Sequence, residues 1–277
     1  MIKLAVFDLD NTLLKSDKTL DNKTIDALKT LDQMNIKTVL ATGRIYQMAK
    51  PFAQVLKLNG PIVCNNGAQI VTLDDETPIH EHIVSKRAQS KAIDYAIENN
   101  YTHIVYTKEG IYTSSKNRLD VYNEWNHKYP ISKISLTLSD DVKKLKSLDA
   151  FKVLIVIDEP SQFQVAKDYF KSFDYMNATQ SSENFLDIIP KGINKGQALD
   201  VLMQHYNVHN DEVLVFGDSD NDAEMLKKAG LSFAMKNGTK KALASAKYQT
   251  DFTTDEGGVR KTINRLIADK ILINNSP

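Results

Sequence analysis

The sequence predicts an α/β protein, a parallel-sheet core interrupted by an inserted α+β domain. Three observations carry this expectation. Short apolar runs alternate with helical periodicity near both ends of the chain, over residues 1–67 and 190–277. Between them, paired strand-like runs and hairpin signals break the alternation. Three of the outer apolar runs stop at polar clusters, Asp8-Leu9-Asp10-Asn11-Thr12, Thr42-Gly43-Arg44 and Gly217-Asp218-Ser219-Asp220-Asn221-Asp222.

The elements follow in order. Ile2 to Phe7 reads as a short buried strand ending at Asp8. Ile25, Leu28, Leu31 and Met34 then recur at helical spacing, one buried face. Lys37 to Ala41 is a second strand, and Pro51 is expected to end or kink the helix after it. Pro61 to Asn65 is a third strand, closed by the turn Asn65-Asn66-Gly67. Gln69 to Leu73 and Thr77 to Val84 pair across Asp74-Asp75-Glu76. In the middle come a helix over Lys86 to Asn99 and a hairpin around Glu109-Gly110. A helix near Arg118 to Lys128 and strands near Ser132 to Leu138 and Phe151 to Ile157 follow. A helix over Gln162 to Phe173 and strands Tyr175 to Ser181 and Phe185 to Ile189 complete this part. After Pro190 the alternation returns: helix Asn194 to Tyr206, strand Glu212 to Phe216, helix Asn221 to Ala229, strand Leu231 to Met235, and a last helix from Val259. These boundaries place one domain at 1–82 with 190–277 and an inserted domain at 83–189.

Composition narrows the function classes. The chain has 277 residues, 42% hydrophobic and 25% charged, which is globular and ample for a buried core. Lys+Arg and Asp+Glu are 35 each, so the net charge is zero. That balance removes the simplest argument for binding nucleic acid or an anionic membrane. The single cysteine, Cys64, sits in an apolar run and reads as a core residue, which excludes an internal disulfide and a Cys-based zinc site. His80 and His82 alternate on a strand-like stretch and read as a surface face. Asp8 and Asp10 break the first apolar run too early for a signal peptide, and no run approaches a membrane span of about 18 residues. A cytoplasmic protein is the expectation.

The polar clusters carry the chemistry. In open α/β sheets, ligands gather beyond the carboxyl ends of the strands. If the three strands are parallel neighbours, Asp8, Asp10, Thr42 and Asp218 converge on one edge, and Lys195 starts the helix that re-enters the core. Converging carboxylates repel and require a cation or a proton. Oxygen ligands beside a phosphate suit Mg²⁺. A calcium loop fails on position: counting from Asp218, Ala223 stands where glycine is needed and Ala229 where the bidentate glutamate is needed. Counting from Asp8 fails likewise, at Leu13 and Thr19.

Four motifs stand in order: D-x-D-x-T (Asp8, Asp10, Thr12), the strand-end Thr42, Lys195 in Pro190-Lys191-Gly192-Ile193-Asn194-Lys195-Gly196, and G-D-x-x-N-D (Asp218, Asn221, Asp222). With these residues the chain resembles the haloacid dehalogenase (HAD) superfamily, in its Cof-type phosphatases with a large subclass IIB cap. The resemblance covers nearly the whole chain, including Asn66-Gly67 ahead of the cap. It implies a Rossmann-like core and an inserted cap. It implies Asp8 as nucleophile, forming an aspartyl-phosphate. Asp10 would be general acid, then base, with proximity to Asp8 favouring a shared proton and the metal opposing it. Mg²⁺ would be held by Asp8, the Asp10 carbonyl and Asp218. Thr42, Lys195 and Asn221, with backbone amides near Leu9 and Gly43, would hold the phosphoryl group. Arg44 would touch substrate or cap, or serve the structure. Asp222 would orient the metal shell or Lys195.

Two departures from the family pattern are Asn11, where glycine is common, and Lys236 in Met235-Lys236-Asn237. The cap residues Tyr106, Tyr112, Lys116 and Arg118 could line a pocket, but core or surface duty is the plainer reading. The functional expectation is a Mg²⁺-dependent phosphatase of small phosphorylated metabolites. Sugar phosphates come first and cofactor phosphates such as pyridoxal phosphate or flavin mononucleotide second. A monomer or homodimer with no nucleic-acid or membrane partner is expected. The rivals are a phosphomutase or phosphotransferase of the same superfamily, and a non-catalytic sugar-phosphate sensor.

Overall fold

Residues 4–7 are apolar at every position and buried on both faces, which is the pattern of an interior parallel strand. They form β1 (Leu4–Phe7) of a computed structural model that describes residues 1–129 and 133–274. Next come α1 (Asn22–Gln33), β2 (Lys37–Ala41), α2 (Tyr46–Val55), β3 (Ile62–Cys64), β4 (Gln69–Val71) and β5 (Pro78–Glu81). The middle of the chain gives α3 (Lys86–Glu98), β6 (Thr102–Thr107), β7 (Ile111–Thr113), α4 (Lys116–Lys128), β8 (Leu136–Leu138) and α5 (Val142–Ser147). It continues with β9 (Ala150–Val156), α6 (Pro160–Lys171), β10 (Met176–Ser182) and β11 (Phe185–Pro190). The last part is α7 (Lys195–Tyr206), β12 (Val213–Gly217), α8 (Ala223–Lys228), β13 (Leu231–Ala234), α9 (Lys240–Ser245), β14 (Tyr248–Gln249) and α10 (Gly258–Ala268).

The strands form two sheets. The first has the order β14-β13-β12-β1-β2-β3-β4-β5, the second β10-β11-β9-β6-β7-β8. In the first sheet β14 through β3 pair in parallel, and β4 and β5 add an antiparallel edge. The chain runs outward from β1 to β2 and β3, then returns at β12 and runs outward the other way. The boundary between β1 and β12 is therefore a topological switch point, where the loops diverge and leave a crevice.

Strand alternation builds a core on each face of this sheet. Ala5 and Phe7 pack under α1, α2 and α10, while Leu4 and Val6 pack under α7 and α8. Phe7, Phe216 and Phe233 stack across neighbouring strands at 5.4 and 5.3 Å. Burying each such side chain contributes roughly 1.5–3 kcal/mol. The second sheet carries α3, α5 and α6 against one face. Its α4 brings Trp125 and Tyr129 onto Phe52 of α2, with ring centroids 5.9 and 5.7 Å away.

The structure differs from the sequence reading in a few places. Pro51 does not end its helix: α2 runs through it to Val55 with Pro51 buried. The strand expected from Ser132 is described only as Leu136–Leu138, and Ser132 lies outside the described residues. The short helix α5 was not anticipated. The helix expected from Asn221 begins as a 3₁₀ turn over Asp220–Asp222 before α8. Cys64 is fully buried. Among the described residues no helix is long and apolar enough to cross a membrane.

Candidate active site

Parallel pairing in register carries the chemistry to one edge. Phe7 pairs with Phe216 and Leu40, so the residues that follow these strands emerge side by side. Asp8 leaves β1, Thr42 leaves β2 and Asp218 leaves β12, all three buried. Lys195 opens α7 and is 1% exposed. A cation is disfavoured at a helix N-terminus. Its compensation is two carboxylates: Lys195 Nζ lies 2.5 Å from Asp8 Oδ1 and 2.6 Å from Asp222 Oδ1. Lys191, four residues earlier, lines a smaller neighbouring pocket that Lys195 also borders.

Asp222 is held from both sides. Its Oδ2 accepts from the backbone N–H groups of Asp218 and Ser219, both at 2.9 Å. This close approach explains Gly217, because a Cβ there would stand 2.7 Å from Asp222 Cβ. Thr12 donates to Asp218 Oδ1 at 3.0 Å. The D-x-D-x-T threonine thus reaches across 206 residues to the last motif. Asn11, where the family prefers glycine, sits in the left-handed region at φ 60°, a conformation asparagine tolerates. Lys236 is exposed, and Asn237 beside it donates to Asn11 O at 3.1 Å.

Asp8, Asp218 and Asp222 present carboxylate oxygens within 4.8 Å of one another. At that separation two like charges repel by roughly 3 kcal/mol or more at an effective dielectric constant of about 20. Three carboxylates face one ammonium, leaving a formal charge of −2 in a buried place. Burial first, and then the neighbouring carboxylates, raise the Asp8 pKa against the lowering influence of Lys195. The same causes push Asp218 up to about 7. Lys195 is displaced upward: burial opposes its charge, and Asp222 and Asp8 overcome that opposition. Uncompensated hard oxygen donors are the donor set of a divalent cation such as Mg²⁺, so these residues fit one. With both Asp222 oxygens already engaged by Lys195 and backbone, Asp8 and Asp218 are the better direct ligands.

Asp10 departs from the sequence reading. The sequence sets a proton shared with Asp8 against the opposing pull of a metal; the structure engages the carboxylate with Arg44. Arg44 Nε donates to Asp10 Oδ2 at 2.8 Å and Nη2 to Oδ1 at 2.7 Å, with Lys18 Nζ 3.1 Å from Oδ1. Burial alone would raise Asp10, but the Arg44 and Lys18 contacts overcome it and hold the pKa at about 2. The Arg44 guanidinium lies 5.0 Å from the Phe52 ring and 5.5 Å from Trp125. It therefore joins the first sheet's loop to α4.

The remaining candidates line the same space. Thr42 is buried, and its Oγ1 accepts from Arg44 N at 3.1 Å. Asn66 N donates to Thr42 O at 3.1 Å. A trans peptide opposes its C=O and N–H, so Gly43 N–H points away from Asn66. Leu9 is the exception: it is fully buried in the core and does not line the cavity. Asn221 Nδ2 donates to Asn66 Oδ1 at 2.8 Å. Asp8, Asp10, Thr42, Gly43, Arg44, Asp218 and Asn221 all line one cavity of about 810 Å³, together with Tyr106, Lys152 and Phe185 of the second sheet and Tyr122 and Trp125 of α4. This volume suits a small organic ligand.

The sequence reading missed part of this wall. The core duty expected of Tyr106 holds, since it is buried beside Ile104 and Ile111, and it also lines the cavity and hydrogen-bonds Tyr122 through the two hydroxyls. Arg118 packs over the Phe185 ring at 5.2 Å, and Tyr112 lies under Lys144 Nζ at 5.5 Å. Lys152 and Asp187 went unremarked. They form a buried ion pair of 3.3 Å, and burial raises the Asp187 pKa against the opposing pull of Lys152. One signal was available: each is a lone charge in an otherwise apolar strand, Phe151-Lys152-Val153-Leu154 and Leu186-Asp187-Ile188-Ile189, and the charges are opposite.

Comparison with known proteins finds relatives along nearly the whole chain. The chain is 28% identical to phosphatase YwpJ of Bacillus subtilis, covering 96% of this chain and 100% of that one. It is 27% identical to the 5-amino-6-(5-phospho-D-ribitylamino)uracil phosphatase YitU of the same organism, over 93% and 95% of the two chains. The crystal structure of a haloacid dehalogenase-like hydrolase from Bacteroides thetaiotaomicron superposes with a TM-score of 0.81 at 28% identity, covering 96% of this chain and all of that one. The model of the haloacid dehalogenase-like hydrolase family matches residues 5–263. The chain belongs to the haloacid dehalogenase-like hydrolase family.

Proposed function

We propose that this chain is a Mg²⁺-dependent phosphatase that hydrolyses small phosphorylated metabolites through an aspartyl-phosphate on Asp8. The observation that carries the reading is Asp8 at the cavity floor, with Lys195 Nζ at 2.5 Å and the oxygens of Asp218 and Asp222 within 4.8 Å. Residues 1–82 and 190–277 form the catalytic unit in this reading, and 83–189 a cap over it. The phosphatase relatives support it.

An Asp8 oxygen attacks phosphorus while the bond from phosphorus to the alcohol oxygen breaks. Asp10 gives that oxygen a proton, which requires Asp10 to leave the Arg44 grip. Water then attacks the phosphorus of the aspartyl-phosphate, Asp10 takes its proton, and inorganic phosphate leaves with Asp8 restored. Lys195, Thr42, Asn221 and the amides of Leu9 and Gly43 hold the phosphoryl oxygens, whose charge is spread over three atoms. Asp8, the Asp10 carbonyl and Asp218 would hold Mg²⁺, which would supply charge neutralisation there. Asp222 keeps Lys195 in place. The cap side supplies Tyr106, Tyr122, Trp125 and Phe185, a wall that suits the face of a sugar or a heteroaromatic ring. Sugar phosphates stand first, then phosphorylated cofactors such as pyridoxal phosphate or flavin mononucleotide.

The test is a screen of phosphorylated metabolites and p-nitrophenyl phosphate with purified protein, with Mg²⁺ or chelator. Phosphate release that needs Mg²⁺ and is lost in Asp8→Asn supports the reading. Transfer to an added alcohol without phosphate release would move it to a phosphotransferase, and tight binding without turnover to a sensor.

A further inference from the structure

The two sheets meet through a chain of buried polar contacts that the chemistry above does not use. Lys152 of β9 is 4% exposed and Asp187 of β11 is fully buried. Lys152 Nζ lies 3.3 Å from Asp187 Oδ2 and donates to Gly43 O at 3.0 Å. Asp187 Oδ2 also accepts from Asn66 Nδ2 at 3.3 Å, and Asn66 Oδ1 accepts from Asn221 Nδ2 at 2.8 Å.

We propose that the Lys152–Asp187 pair is a positioning device: through Asn66 and Gly43 it sets the orientation of Asn221 and the Thr42-Gly43-Arg44 loop for phosphoryl binding. The proposal rests on the phosphatase reading of the site. Burying both charges is costly, and an apolar pair would join the strands as well. What an apolar pair cannot do is dictate direction. An ionised carboxylate only accepts hydrogen bonds. Asn66 must therefore turn Nδ2 to Asp187 and Oδ1 to Asn221, and Asn221 must answer with its Nδ2. Among the described residues Asn221 Oδ1 has no hydrogen-bond partner, so the bond to Asn66 is the one that orients this amide. On the other branch, Lys152 fixes the Gly43 carbonyl. The adjoining peptide is fixed by Asn66 N on Thr42 O, and together they aim the Gly43 N–H. Two of the phosphate-holding groups, the Asn221 amide and the Gly43 N–H, thus take part of their direction from residues of the cap.

The experiment compares wild type, Lys152→Met with Asp187→Leu, Asn66→Gly, the triple variant and Asp8→Asn. Glycine keeps the left-handed turn at position 66, where φ is 58°, and deletes the relay. The readouts are kcat and KM for p-nitrophenyl phosphate, inhibition by inorganic phosphate, and Tm. The expected result is at least a tenfold loss of phosphate affinity together with lower kcat in both the double variant and Asn66→Gly. Tm stays within a few degrees, and the triple variant loses less than the product of the two separate losses, because the Asp187 branch acts through Asn66. Wild-type phosphate affinity in the double variant, or losses that multiply in full in the triple variant, overturn the proposal. If the double variant does not fold, Asn66→Gly alone decides, and unchanged phosphate affinity overturns it. The two failures are separable. An inactive wild type or an active Asp8→Asn removes the phosphatase reading, whereas an active wild type, a dead Asp8→Asn and unaltered relay variants remove only the relay.

Discussion

Arg44 grips the Asp10 carboxylate with a two-pronged contact, Nε to Oδ2 at 2.8 Å and Nη2 to Oδ1 at 2.7 Å. This contact decides the charge of the residue assigned as acid and base. With its pKa held at about 2, Asp10 is ionised across the working pH range. It is ready as a base and acquires a donor's proton only when the guanidinium moves aside. Because Arg44 also lies against Trp125 of α4, that movement is tied to how α4 sits.

Arg44→Lys keeps the charge and loses the fork. Asp10 then rises from about 2 toward the ordinary carboxylate range. The base form needs a higher pH to exist, so the acid limb of the kcat profile moves upward. Activity near pH 4 falls by about twofold, and near pH 3 by roughly eightfold, relative to activity near pH 7, as a rise of the pKa to about 3.9 implies. A pH profile of p-nitrophenyl phosphate hydrolysis checks this, and an unmoved acid limb contradicts it.

Asp8→Asn removes the nucleophile and lowers kcat by about three orders of magnitude or more. The fold is expected to gain. Asp8 is raised by burial and by its carboxylate neighbours, so the ionised group is a burden on the native state. Lys195 keeps Asp222 at 2.6 Å. A thermal scan of metal-free protein should give a Tm equal to or above wild type. A collapse in Tm would show that Asp8 is needed structurally.

Mg²⁺ added to chelator-treated protein should raise Tm. At a hundredfold excess over Kd the gain is about 2.7 kcal/mol, or roughly 5–10 °C for a chain of this size. Asp218→Asn should abolish that shift and Asp10→Asn should preserve it, because the Asp10 carbonyl rather than its side chain is the assigned ligand. Equal loss in both variants would count against the ligand assignment.

Asp21 caps α1 by accepting from Lys23 N, and it accepts from Arg260 Nε at 2.8 Å, tying α1 to α10. Burial opposes ionisation, yet the Lys23 and Arg260 contacts win and lower its pKa from 3.8. A lowered acid pKa adds stability that is present above the unfolded value and is lost as pH falls through the folded one. Asp21→Ala should cost about 1 kcal/mol at pH 7, and the difference should fade below about pH 3. Urea unfolding at both pH values measures it. A cost that persists in acid would assign it to packing.

Lys195 and Lys152 show where sequence reading works and where it stops. Lys195 was legible because a lysine at a helix start is electrostatically misplaced unless an anion waits there, and the motif order named the anions. Lys152 was not, because its partner Asp187 is 35 residues away, on a strand whose neighbour only the sheet order reveals. Pro51 does not end its helix for a related reason: the local rule that proline stops a helix was overridden by packing that buries the ring.

By itself the sequence determined the α/β alternation, the insertion and the set of residues at the strand ends. Periodicity and strand-end chemistry are local properties, written within a few residues of each other. The tertiary structure decided which charges touch. It gave Asp10 to Arg44 rather than to a shared proton, and Lys195 to Asp8 and Asp222 together. It set Lys152 and Asp187 between the sheets, beside the Asn66–Asn221 contact. Coulomb and hydrogen-bond energies depend on separations of a few ångströms and on burial, and the packing of distant segments sets both.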